Sequence, residues 1–190
     1  MEEKDEGIKG AEGIVLHNGK IILGMQKAER WYKLPNGESA AIIKTIGGKI
    51  ETEDENNSKK ALVREVLEEI RGIEKSDIRI SQNPIFTKRV RMKEVNPFER
   101  ESNLKMNADF YALFLMNKGK LHPNDLPALI EIPVSRFLKL KFGSTEHIST
   151  IQDCIIQNDN VELPENYALM IPREIKMIFE EIRGDLENVR

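Results

Sequence analysis

Apolar and polar positions along the chain repeat with two different periods. Ala11 to Leu16 and Ile21 to Met25 are short apolar runs rich in β-branched residues, separated by His17-Asn18-Gly19-Lys20. Two such runs around Asn-Gly predict a β-hairpin. Trp31 to Gly37 reads as a loop ending in a turn, and Ala40 to Ile46 as a strand running into Gly47-Gly48. From Ser58 to Arg71 the apolar spacing is helical, with Ser58 placed to cap the start and Gly72 to stop the end. Ile78 to Ile80, Pro84 to Val95, Asp109 to Met116 and Leu129 to Pro133 read as strands, and the polar segment 96–107 as a loop. After Pro133 the pattern predicts helix, first from Ser144 through Cys154 and Ile156. A second helix follows Pro172 over residues 173–182 and stops near Gly184. Strands, a helix, more strands and a helical last third imply an α/β (α+β) fold with a mixed sheet between helical layers. The expected organisation is a flexible tail over 1–10, a domain over 11–133, and a helical extension over 134–190 packed on that domain.

Composition narrows the class. At 190 residues, 39% hydrophobic and 32% charged, the chain is long enough for a good-sized core and is not a disordered polymer. Its net charge of −3, with acids and bases interspersed, argues against a dedicated nucleic-acid surface but not against a small polyanion. The single cysteine, Cys154, excludes an intrachain disulfide and reads as a small buried hydrophobe beside Ile155 and Ile156. The first residues carry no apolar leader-like core. No run reaches the roughly 18 apolar residues of a membrane span. A cytoplasmic protein without a membrane partner is the expectation.

The helix near residue 65 carries the candidate chemistry. At about 100° per residue, Leu62, Val63, Val66, Leu67 and Ile70 share one arc, and Glu65, Glu68 and Glu69 share the other. Their spacing makes the three carboxylates neighbours that repel one another. A hard divalent ion relieves that repulsion, and Mg²⁺ takes oxygen ligands of this kind. A solvated charged face is the plainer alternative. The strand ending in Gly47-Gly48-Lys49-Ile50-Glu51 and the acidic loop with Glu53, Asp54 and Glu55 weigh against it.

On these residues the chain resembles the Nudix hydrolases, the MutT-like family. That family's box reads glycine, five residues, glutamate, seven residues, then Arg-Glu-aliphatic-any-Glu-Glu-any-Gly-aliphatic. Here Gly48 is followed by Arg64-Glu65-Val66-Leu67-Glu68-Glu69-Ile70-Arg71-Gly72-Ile73. The likeness covers residues 10 to 133. With Glu55 as the loop glutamate, each spacer is one residue too long, and the closing glycine comes one position late.

The resemblance implies a Nudix-like α/β/α sandwich and a hydrolase cleaving a phosphate anhydride in a nucleoside diphosphate derivative. It implies Mg²⁺ or Mn²⁺ held by Glu68, Glu69 and the Gly48 carbonyl. Glu65 is a further ligand or orients the attacking water, and Arg64 holds the carboxylates. One of Glu51, Glu53 and Glu55 assists, with its identity open, and the general base, inside the box or outside it, is open as well. Two rival readings remain: a nucleotide- or ligand-binding regulatory module with little hydrolysis, and an interaction protein that forms a homodimer through its last third.

Other residues carry weaker signals. Arg89 and Arg91 share one face of a predicted strand and are candidates to meet a polyphosphate, although a solvated face is the plainer reading. Trp31 and Tyr32 suit either base stacking or packing. His17, His122 and His147 lack metal-ligand spacing.

Overall fold

The computed structural model describes residues 8–91, 105–140, 145–147, 151–172, 175 and 177–180. Asn18 and Gly19 both take left-handed backbone, φ +49° and +74°, so the chain reverses in two residues. β1 (Ile8–His17) and β2 (Lys20–Met25) are thereby paired with Val15 opposite Ile22 and His17 opposite Lys20. The strand opens at Ile8, earlier than the tail expected over 1–10; residues 1–7 lie outside the described set.

β3 (Tyr32–Lys33), β4 (Ser39–Lys44) and β5 (Ile46–Lys49) follow, broken at Thr45. Then come α1 (Ser58–Glu69), β6 (Ile70–Arg71), β7 (Ile78–Ile80), β8 (Phe86–Arg91) and β9 (Lys105–Leu115). β10 (His122–Pro123), β11 (Ala128–Pro133) and the short helix α2 (Val134–Phe137) lead into the last third. Twelve of the described strands join in one mixed sheet. At its centre β1 runs parallel to β9 over ten residue pairs, antiparallel to β2 at one end and antiparallel to β5 at the other.

Alternation divides the core across the sheet. Ala11, Val15, Ile22 and Leu113 pack with Ala61, Leu62, Val66 and Ile70. Ile14, Ile21, Leu23 and Ala112 pack on the other face with Phe137, Leu169, Ile178 and Phe179. Both faces are covered, which is why the central strands read as continuous apolar runs.

Two sequence expectations change here. The predicted helix from Ser144 through Ile156 is instead β12 (Thr145–His147), a 3-10 turn over Gln152–Cys154 and β13 (Ile155–Gln157). Ile155 and Ile156 pair with Ile130 and Leu129 of β11, and β-branched residues favour that pairing over a helix. β14 (Ala168–Met170) then runs parallel to β4, so the last third completes the sheet as well as covering it. Residues 177–180 are helical as expected, and the stop near Gly184 lies outside the described residues. The second change is the start of β9 at Lys105, inside the segment read as a loop; the rest of 96–107 up to residue 104 is not described.

Candidate active site

Asn57, not Ser58, caps α1: its side-chain oxygen accepts from the backbone N–H of Lys59 and Lys60 at 3.0 and 3.1 Å. Ser58 is released to bond the Tyr111 hydroxyl at 2.6 Å. At the other end the helix stops at Glu69, and Ile70–Arg71 pairs with β10. The late glycine is explained by this pairing. Arg71 occupies the strand and donates to the Pro123 carbonyl, and Gly72 makes the left-handed turn, φ +90°, against the Lys120 carbonyl. Asn124 closes the helix end, giving its side-chain amide to the Glu68 carbonyl and its backbone N–H to that of Glu69, both at 2.9 Å.

The three helix carboxylates do not share one environment. Glu68 is exposed, Glu65 is partly buried, and Glu69 is buried at 6% exposure, on the side where β5 packs. Opposite them, β5 pairs with the start of β1, so Gly48 faces Ala11. A side chain at Gly48 would run into the Glu65 carboxylate. The glycine therefore lets helix carboxylate and turn backbone approach each other closely.

Arg64 organises this group. Its guanidinium donates to Asp54 through Nε (3.3 Å) and a terminal nitrogen (3.0 Å), to Glu65 (3.0 Å), to Glu68 (3.2 Å) and to the Lys49 carbonyl (3.0 Å). Asp54 is buried and also accepts the Glu51 backbone N–H at 2.8 Å. Arg64 holds the Asp54 carboxyl below its ordinary range. Asp54 stands six positions after Gly48, where the box pattern places its loop glutamate. The lengthening then falls wholly after it, where Glu55 and Asn56 take left-handed backbone at φ +55° and +58° before the Asn57 cap. Glu51, Glu53 and Glu55 are exposed, and Glu55 pairs with Lys60.

Two further groups complete the site, neither of them singled out by the sequence reading. Lys44, the last residue of β4, donates to Glu69 Oε1 at 2.5 Å and to the Gly47 carbonyl at 3.1 Å. Burial alone would lower the Lys44 ammonium, but Glu69, Glu12 and Glu65 hold it above its ordinary value, so it is charged. Burial pushes Glu69 up, against the pull of Lys44. Glu12 accepts from the Thr45 hydroxyl at 2.6 Å, and burial raises its carboxyl to about 7. A sequence signal existed for both: a carboxylate inside the apolar run Ala11–Leu16, and a lysine closing the apolar run Ala40–Ile43.

As the side chains stand, no three His, Cys, Asp or Glu among the described residues form a ready metal cage. Glu65 and Glu68 are turned to Arg64, and Glu69 to Lys44. The donor chemistry nevertheless suits a hard cation. All the acceptors are oxygens, and Glu12, Asp54, Glu65, Glu68 and Glu69 outnumber Lys44 and Arg64. Among the described residues, the buried Glu69 Oε2 has no hydrogen-bond partner. A buried carboxylate oxygen left bare is costly, and a cation is one way to satisfy it.

The remaining candidates fall elsewhere. Arg89 and Arg91 lie on β8 opposite Asn107 and Lys105, and their side chains are outside the described set. Trp31 is buried, with its ring 4.8 Å from that of Tyr167 and its N–H donated to the Gln26 carbonyl at 2.7 Å. Cys154 is buried as expected. His17 is buried and bonded to the Asn117 carbonyl, His122 is exposed, and His147 lies on β12 rather than on a helix. A cavity of about 500 Å³ opens beside His17, Lys20, Lys120 and Glu131. It lies at the far end of β1 from Gly48, about 20 Å away by strand rise.

No protein-family model matches the chain, and no curated protein matches it in sequence. Solved structures do match its fold. The MutT protein from Methanosarcina mazei Go1 aligns over 100% of both chains, with TM-score 0.53 and 14% identity. A C. elegans Ap4A hydrolase in a binary complex aligns over 95% of this chain and 98% of its own, with TM-score 0.55 and 11% identity. The chain has the Nudix hydrolase fold, an α+β arrangement on a mixed sheet. No helix among the described residues is long and apolar enough to cross a membrane.

Proposed function

We propose that this protein is a metal-dependent pyrophosphohydrolase that cleaves a phosphate anhydride in a nucleoside diphosphate derivative. The observation that carries the reading is the bare, buried Glu69 Oε2 beside Glu65 and the Gly47–Gly48 turn. The fold, which it shares with a protein named as an Ap4A hydrolase, supports hydrolase chemistry at the level of fold.

In this reading Glu65, Glu68, Glu69 and the Gly48 carbonyl hold Mg²⁺ or Mn²⁺. Such an ion supplies charge neutralisation on the anhydride oxygens and an acidified water. Glu65 would orient the attacking water. Arg64 is a positioning residue: it fixes Glu65 and Glu68 on one side and anchors the loop through Asp54 on the other. Asp54 takes the loop-carboxylate role for which Glu51, Glu53 and Glu55 were candidates. Arg89 and Arg91 on β8 are assigned to the substrate's phosphates. Residues 11–133 carry the chemistry in a cytoplasmic protein.

The test is hydrolysis of a panel of nucleoside diphosphate derivatives with Mg²⁺ or Mn²⁺, read as formation of the nucleoside monophosphate and the phosphorylated remainder. Turnover by the wild type and its loss in folded Glu69→Gln supports the reading; equal turnover by both contradicts it. A second reading, a nucleotide-binding module without efficient hydrolysis, is favoured by one observation: the carboxylates are already paired with Lys44 and Arg64. Nucleotide binding with no product across the panel would establish it.

A further inference from the structure

Lys44 sits where a cation would be expected, and it is already a cation. Its ammonium bonds one helix carboxylate oxygen, Glu69 Oε1, and one carbonyl of the glycine turn, that of Gly47. A carboxylate and a turn carbonyl are also the donors that a hard divalent ion takes. The pair is nearly dry, with the Lys44 side chain 20% exposed and that of Glu69 8%. Its stem lies close to Gly24, where an added Cβ would come within 3.4 Å of Lys44 Cγ, so packing at the strand end helps to aim it inward. An ammonium held this way lowers the net negative charge of the cluster and competes for Glu69 with any incoming ion. Glu69 Oε2 stays bare.

We propose that Lys44 is a built-in cation of this carboxylate cluster. Its ammonium fills one cation position on Glu69, leaving Glu69 Oε2 and Glu65 to a divalent ion, and removal of its charge opens a further metal position. The proposal rests on the metal-dependent reading above and extends it to the number and affinity of the ions. Its consequence is a site that binds fewer divalent ions, and binds them more weakly, than its count of carboxylates suggests.

Mn²⁺ binding to the whole chain, followed by the electron paramagnetic resonance of free Mn²⁺, tests it without reference to turnover. Lys44→Met is expected to bind one more ion per chain, or to bind at least about tenfold more tightly. Lys44→Arg keeps the charge and is expected to behave as the wild type. If the wild type binds Mn²⁺ and Lys44→Met binds the same number with equal or lower affinity, the proposal fails and the metal-dependent reading stands. If no variant binds Mn²⁺, both fail. Should Lys44→Met not fold without metal, refolding on addition of millimolar Mn²⁺ supports the proposal, and failure to refold overturns it.

Discussion

Arg64 reaches back ten residues to Asp54 and grips its carboxylate with two nitrogens, Nε at 3.3 Å from Oδ1 and a terminal nitrogen at 3.0 Å from Oδ2. The contact ties the acidic loop to the helix face that carries Glu65 and Glu68. Because Asp54 is held below the ordinary carboxylate range, the folded protein keeps it ionised to lower pH than the unfolded chain does. Its stabilising contribution is complete above the unfolded value and is lost as pH falls through the folded one. Asp54→Asn is therefore expected to lose about 2 kcal/mol near neutral pH. That is roughly 4–8 °C in melting temperature for a chain of this length. The loss should shrink in acid. Glu53→Gln, on the exposed neighbour, should change stability by no more than about 0.5 kcal/mol. Thermal melts across the acid range read both.

Gly47 and Gly48 should fail in different ways when a methyl is added. Gly47 has φ +148°, and its Cβ would meet backbone, the Ala11 carbonyl and Glu12 Cα, which cannot move aside. Gly48→Ala meets the Glu65 side chain, which can. Gly47→Ala is expected to show the larger fall in melting temperature. Gly48→Ala should keep most of its stability and lose Mn²⁺ affinity and turnover as Glu65 is displaced. A Gly48→Ala protein with unchanged metal affinity would remove Glu65 from the metal site.

Glu12 sets a pH dependence of opposite sign to that of Asp54. Its carboxyl is raised from 4.5 to about 7, chiefly by burial, with Glu69 and Glu65 adding to the effect and Lys44 and Thr45 opposing it. The folded state then binds more protons than the unfolded state between those values, so stability falls as pH rises through that window. With divalent ions chelated, Glu12→Gln should flatten this fall. An unchanged slope would place Glu12 in water.

Trp31 is the single tryptophan, so fluorescence reports its surroundings directly. Packed on Tyr167 and bonded to Gln26, it should emit as a buried indole, and nucleotide should not quench it. Trp31→Ala should cost about 3–5 kcal/mol. Quenching by nucleotide would return Trp31 to the base-stacking role that the sequence left open.

What was legible in the sequence is local. Asn18-Gly19 dictates its own hairpin, and Ser58–Glu69 its own helix, because backbone preference and periodicity act over a few residues. The site became visible only as far as helix spacing reached. That spacing places Glu65, Glu68 and Glu69 together, but it sets Glu69 towards solvent, whereas the packing of β5 on α1 buries it. Asp54 was hidden among three neighbouring acids, Glu51, Glu53 and Glu55, since only the long-range geometry of Arg64 selects it. Lys44 and Glu12 come to the cluster from other strands, at separations no local pattern encodes. The misread helix over Ser144–Ile156 has the same origin: Ile155 and Ile156 are strand residues because β11 is there to pair with them.

The most direct test of the central claim is hydrolysis in ¹⁸O-labelled water, with the products of a nucleoside diphosphate derivative read by mass spectrometry. The wild type with Mn²⁺ should place one ¹⁸O on a phosphate product. Glu69→Gln should do so on the order of a hundredfold more slowly or worse. Label absent from every phosphate product, or equal incorporation by the wild type and Glu69→Gln, would contradict metal-assisted anhydride cleavage at these glutamates.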